Sequence, residues 1–150
     1  GRMTIAEAAW AREEFQTLHT GDRRRRRRWI NMATRAAEKP GGRVSDVFSD
    51  DKERQGAYDL LESEKVSVDA VLLAMGDASA ARAAAERFAY VAIDGASITI
   101  TDREKVKGFG RVGNQDNLRG LKVINALGLS PAGVPLGLFS QIWWARPLRP

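Results

Sequence analysis

The stretch Phe88-Ala89-Tyr90-Val91-Ala92-Ile93-Asp94-Gly95-Ala96-Ser97-Ile98-Thr99-Ile100-Thr101 decides the fold. Before it, apolar residues recur at three- and four-residue spacing, the period of an amphipathic helix. From Tyr90 onward they form two β-branched or apolar runs, Tyr90 to Ile93 and Ile98 to Thr101, around Asp94-Gly95-Ala96. The change predicts an α+β chain with a helical segment, 1–88, and a strand-forming segment, 89–150. Downstream, Asp102 to Gly120 reads as a polar, glycine-bearing loop. Leu121 to Leu129 reads as a second strand, Ser130-Pro131-Ala132-Gly133 as a turn, and Leu136 to Trp144 as a third strand. The expected arrangement is an antiparallel three-strand meander.

Upstream, four helices are expected. Thr4 with Glu7 forms a capping box for a helix from Ile5 to Leu18, ended near Gly21. Asp22 caps a second, running to about Glu38 and stopped by Pro40-Gly41-Gly42. A third starts at Asp50, with Glu53 completing a box, and carries Ala57, Tyr58, Leu60 and Leu61. Ser67 opens the fourth, with Val68, Val71, Leu72 and Met75 on one face, continuing towards Arg87.

The chain has 150 residues, room for one ordinary domain or two small units. The absence of cysteine excludes a disulfide framework, thiol catalysis and thiolate metal sites. The single histidine, His19, excludes a multi-histidine site and reads as a solvated or capping residue. No apolar run has the length of a membrane span or the character of a signal peptide, so no membrane partner is expected. The net charge is +5, but it is unevenly placed. Residues 22–43 carry +7, residues 44–90 carry −5 and residues 91–150 carry +4. Localised positive charge points to a polyanionic partner.

Arg23, Arg24, Arg25, Arg26, Arg27 and Arg28 concentrate that charge at the start of a helix. There they repel one another and oppose the macrodipole, at a cost of about 0.3–1 kcal/mol for each exposed charge. Phosphates would supply the missing anions. Arg24, Arg27, Arg28 and Arg35 lie roughly opposite the apolar stripe of Trp29, and no aromatic side chain interrupts the run, which favours backbone contacts with a duplex over stacking on single strands. A solvated basic face or a targeting patch is the alternative reading. Gly108-Phe109-Gly110-Arg111-Val112-Gly113 matches G-x-G-x-x-G in letters, but a charged loop precedes it and no βαβ unit surrounds it, so it reads as loop glycine. Asp94 ends an apolar run expected to form a buried strand, where a carboxylate must be hydrogen-bonded, paired or metal-bound. Equally, Asp94 before Gly95 reads as a hairpin turn. Trp143 and Trp144 alternate faces of a strand, so one is expected in the core and the other exposed.

Several segments, in this order, resemble the bacterial cut-and-paste DDE transposases of the Tn-five type, within the insertion-sequence-four group. They are Thr20-Gly21-Asp22-Arg23-Arg24, Ala33-Thr34 before Lys39-Pro40, Gly56-Ala57-Tyr58-Asp59-Leu60-Leu61 and Val91-Ala92-Ile93-Asp94. Gly108-Phe109-Gly110, Gly120-Leu121 and Ala126-Leu127 follow. The most specific are Ser130-Pro131-Ala132-Gly133-Val134-Pro135-Leu136-Gly137-Leu138 and Trp143/Trp144-Ala145-Arg146.

The resemblance implies a helical domain that binds transposon-end duplex DNA, followed by the first strands of an RNase H-like catalytic domain. It implies phosphate contacts from the six arginines and Arg35, and places Tyr58 in the helical core or at its DNA-facing edge. Asp94 stands where the family carries the first of three acidic residues. That triad holds two divalent cations, magnesium or manganese, which activate a water and then a 3′-hydroxyl for in-line attack on a phosphodiester. Gly95 and Ala96 replace the family's threonines, and Met75 and Ile124 stand where it has histidines. The sequence ends at Pro150, before the family's second aspartate, its glutamate and its Tyr-Arg-Glu-Lys signature. Asp102, Glu104 and Asp116 do not match those positions. The expectation is therefore a bacterial, cytoplasmic, nucleoid-associated chain that binds duplex DNA, holds no stable metal alone and does not cut DNA alone. The rival expectations are an interaction module or inhibitor that pairs with full-length transposase, and a domesticated DNA-binding regulator. An incomplete meander would expose a sheet edge to a second copy or a partner, with Leu136, Leu138, Ile142 and one of Trp143/Trp144 available for contact.

Overall fold

Asp22 adopts an extended backbone and its carboxylate accepts from the Arg24 N–H at 2.8 Å, so the second helix begins where the sequence places its cap. In the computed structural model, which describes residues 5–101, 108–113 and 118–147, nine elements follow one another. They are α1 (Ile5–Glu14), α2 (Arg23–Glu38), α3 (Val44–Val47), α4 (Asp51–Leu61), α5 (Val68–Ala84), β1 (Tyr90–Thr99), β2 (Gly110–Arg111), β3 (Arg119–Leu129) and β4 (Pro135–Trp144). The chain is α+β, with five helices and a four-stranded antiparallel sheet. Contacts divide it into two compact units, Gly1–Ala78 and Ser79–Pro150. The division falls inside α5, earlier than the change of sequence pattern at Phe88.

In the first unit Asp50 caps α4, its Oδ1 accepting from the N–H groups of Lys52 and Glu53, both at 3.0 Å. Such a cap contributes about 1 kcal/mol. Ser67 serves α5 in the same way, its Oγ accepting from the Ala70 N–H at 3.1 Å. The capping box expected from Thr4 and Glu7 lies outside the described side chains. Helix α1 ends at Glu14 rather than Leu18, because the chain turns there and Leu18 N donates to Phe15 O, three residues back, at 3.1 Å. The turn carries Phe15 and Leu18 into the core, where they pack with Ala74 against Trp29, Ile30, Val71 and Met75. Burying each of these two large side chains contributes roughly 1.5–3 kcal/mol. The rings of Phe15 and Trp29 meet edge to face at 5.9 Å.

Two expectations about this unit need correction. Helix α3 was not expected; its four residues are too few to show a period, yet Val47 joins Phe48 and Ala57 in a second apolar cluster. On α5, Val71 and Met75 of the expected face do pack against the core, but Val68 is 65% exposed and the most deeply buried positions are Ala74 and Ala78. Ala74 packs with Phe15 and Leu18, a role that an apolar stripe chosen by side-chain size does not reveal. The helix also stops at Ala84, short of Arg87.

In the second unit β3 is central. β1 pairs along one side of it, from Tyr90↔Leu129 to Thr99↔Gly120. On the other side β4 pairs from Lys122↔Trp144 to Leu129↔Pro135, and β2 extends that side through Gly110↔Gly120 and Arg111↔Arg119. The order β1-β3-β4 is a meander with the short β2 added, so the sheet has one strand more than expected. β2 lies within the stretch read as loop, between Gly108 and Gly113, both at positive φ. Asp94-Gly95-Ala96 is not a turn: β1 passes straight through it. β1 is not a buried strand either, since every one of its residues is exposed. Several glycines allow close approaches, Gly110 among them against the Arg146 backbone. A Cβ on Gly120 would collide with the carbonyl oxygen of Ile98, and one on Gly137 with the Ser79 hydroxyl. Beside Gly137, Arg82 Nη1 donates to Leu136 O at 2.9 Å.

Candidate nucleic-acid interface

The unbroken arginine run of α2 becomes two sets once it is wound on a helix. Arg25 and Arg26 are half-buried and turn back onto the α1–α2 connection, donating to Thr20 O and Gln16 O respectively. Arg23, Arg24, Arg27 and Arg28 are exposed and take part in no ion pair among the described residues. Arg35 is engaged otherwise: it pairs with Glu38 at 3.7 Å and Glu53 at 3.4 Å, and its guanidinium lies 6.0 Å from the Phe48 ring centre. It ties α2 to the start of α4.

That tie sets α2 and α4 antiparallel, with a cleft between them. Its larger part, about 710 Å³, is bounded by Arg28, Asn31, Met32 and Arg35 on α2 and by Lys52, Gly56 and Asp59 on α4. A recess of about 310 Å³ continues from Arg28 and Gly56 past Arg24 to Ser63. The acids along the cleft already have partners. Asp22 caps α2, Asp59 accepts from Gln55 at 2.8 Å, and Glu53 holds Arg35. Arg24, Arg28 and Lys52 remain unmatched among the described residues, so the cleft faces solvent with positive charge. Tyr58 is 41% exposed and belongs to the outer surface of α4 rather than the core; it does not line the cleft. His19 is exposed at the end of the α1–α2 connection.

Asp94 lies in the other unit, exposed, directly opposite Asn125, which in turn faces Gln141 across the sheet. Gln141 Nε2 donates to Asn125 Oδ1 at 2.6 Å, and Trp143 Nε1 donates to Gln141 Oε1 at 2.7 Å. Asp94 thus ends a polar row whose other members are amides and an indole. Among the described residues no three carboxylate or imidazole groups come together. These residues by themselves therefore do not fit a divalent cation, and no chemical step follows from them. Asp102, Glu104 and Asp116 lie outside the described residues.

Trp143 and Trp144 are 37% and 39% exposed on opposite faces, so neither is core; with only a few strands, neither face is fully covered. Leu136, in contrast, is buried at the turn into β4 rather than open to a partner. The sequence reading missed Gly56 and Lys52 as parts of the cleft. A glycine inside a helical pattern was the signal that could have found it.

The small helical unit thus presents a basic cleft to solvent, a surface suited to a polyanion. Residues 7–66, from within α1 to just beyond α4, match the protein family described as transposase DNA-binding. The match supports a transposase N-terminal domain, a DNA-binding role and DNA as the partner. Among the described residues no helix is long and apolar enough to cross a membrane.

Proposed function

We propose that the chain carries the end-binding domain of a bacterial cut-and-paste DDE transposase of the Tn-five type, gripping transposon-end duplex DNA along α2 and the α2–α4 cleft. The observation that supports this most is the set of four exposed arginines, without ion-pair partners among the described residues, inside the stretch that matches the transposase DNA-binding family. A titration of a short duplex between about 50 and 200 mM salt tests the reading. Each phosphate neutralised adds about −0.9 to the slope of log K against log salt, so four arginines give a slope of about −3 to −4. A flat plot would sink it.

In the same proposal the sheet opens an RNase H-like fold and Asp94 is the first acid of its triad, needing two further carboxylates before magnesium or manganese can be held. The β1-β3-β4 meander and the position of Asp94 within β1 support this. The chain by itself then binds DNA without cutting it. A second reading, in which the sheet meets another copy of the chain or a complete transposase, is favoured by one face. Val91, Ile93, Ile142 and Trp144 all lie on that face, with Ile93 72% and Ile142 61% exposed. Light scattering will report the mass of a dimer or larger if this face is used; a single-chain mass at high concentration overturns the second reading.

A further inference from the structure

We infer that Gly56 is the seat of a DNA backbone phosphate, a point where the sugar-phosphate chain crosses the bare surface of α4 opposite Arg28 and Arg24. The inference rests on the DNA-binding reading above and adds to it a position and a reason for a glycine. Gly56 stands in the interior of an eleven-residue helix, where glycine is the poorest residue after proline. Nothing among the described residues calls for it. Its backbone is helical and not left-handed, and a Cβ built there meets no atom within 4 Å. What the missing side chain leaves open is the cleft: Gly56 borders both of its parts, and so does Arg28, while Arg24 borders the inner recess.

Glycine where a ligand must come close to the backbone is a recurring device, because one methyl group is enough to hold the ligand off. The groups facing Gly56 select an anion. Glu53 and Asp59 each stand three residues from Gly56, and Glu53 pairs with Arg35. Asp59, which accepts from the neutral amide of Gln55 and borders both parts of the cleft, is outnumbered there by Arg24, Arg28 and Lys52, which have no ion-pair partner among the described residues. Phosphate contacts of this kind fix how a protein sits on a duplex without reading its sequence.

The full-length chain, Gly56→Ala, Gly56→Leu and Arg28→Gln are compared by thermal melting and by anisotropy titration of a labelled duplex over a range of salt. Gly56→Ala is expected to melt higher than the parent chain, since it gains helix propensity without a clash. It is expected to bind roughly tenfold more weakly. Gly56→Leu should bind more weakly still. Neither changes the charge, so the salt slope stays the same, whereas Arg28→Gln lowers it by about 0.9. If Gly56→Ala melts higher and binds as tightly as the parent while Arg28→Gln is weakened, the inference fails and the DNA reading stands. If Arg28→Gln also binds like the parent, both fail. A lower melting point for Gly56→Ala overturns the inference as well, because the glycine then serves the fold.

Discussion

Gly120→Ala will unfold the sheet unit and leave the helical unit binding DNA. Gly120 pairs with Thr99 on one side and Gly110 on the other, so it holds a point where β1, β3 and β2 meet. A single added Cβ runs into the Ile98 carbonyl oxygen and approaches Thr99 Cα to 3.2 Å. Because these obstacles are backbone, no side-chain rotation relieves them, and the strands must separate. Overpacking in a yielding site costs about 1–3 kcal/mol, and a collision with a fixed backbone costs more. Ile100 N, which donates to Arg119 O at 2.8 Å, loses its partner in the same movement. Hydrogen exchange will show amides of β1 and β3 losing protection, while those of α2 and α4 keep theirs. The DNA titration should be unchanged. Protected β3 amides in the variant would show that the approach at Gly120 can relax.

Arg24→Gln with Arg28→Gln will weaken DNA binding about 100-fold at moderate salt and lower the salt slope by about 1.8. A charge-assisted hydrogen bond contributes roughly 1.5 kcal/mol or more, and two of them give that factor. The fold should not suffer, because neither side chain has an ion-pair partner among the described residues. Relieving repulsion at the start of α2 should even raise its melting point slightly. The matched control is Arg25→Gln with Arg26→Gln. Those side chains brace the α1–α2 connection through Thr20 O and Gln16 O, so their loss should lower stability more than it alters the salt slope. Equal slopes for the two double variants would end the division of the arginine run into a binding set and a bracing set.

Local chemistry made much of this fold legible. Asp22, Asp50 and Ser67 each satisfy helix N–H groups through their own side chains, so the starts of α2, α4 and α5 can be read from short range alone. Strand pairing followed from the turn at Ser130 to Gly133, where Gly133 N donates to Ser130 O at 2.8 Å and Val134 N to Ser130 Oγ at 3.0 Å. What escaped depends on neighbours distant in sequence. The end of α1 is decided by where Phe15 and Leu18 find a core, and the burial of Ala74 on α5 by its packing against those same two side chains. A helical wheel placed Arg24, Arg27 and Arg28 on the outer face, as found, but gave no sign that Arg35 would be taken up by Glu53 and Phe48. For β1, apolar composition implied burial; the sheet instead leaves both faces of that strand open, because burial needs a covering layer that no strand encodes in itself.

That open strand gives salt two contrary effects on the same molecule. Residues 91–150 carry a charge of +4, which keeps neighbouring sheets apart in dilute buffer. Added ions screen such repulsion, whereas an apolar contact through the exposed Ile93, Ile142 and Trp144, as in the proposed second reading, would not be weakened by them. The same ions compete for phosphate and loosen the grip of α2 on a duplex. Under the two proposed readings, raising the ionic strength is expected to weaken duplex binding by the helices and to favour self-association through the strands, which titration and light scattering over the same salt range would report.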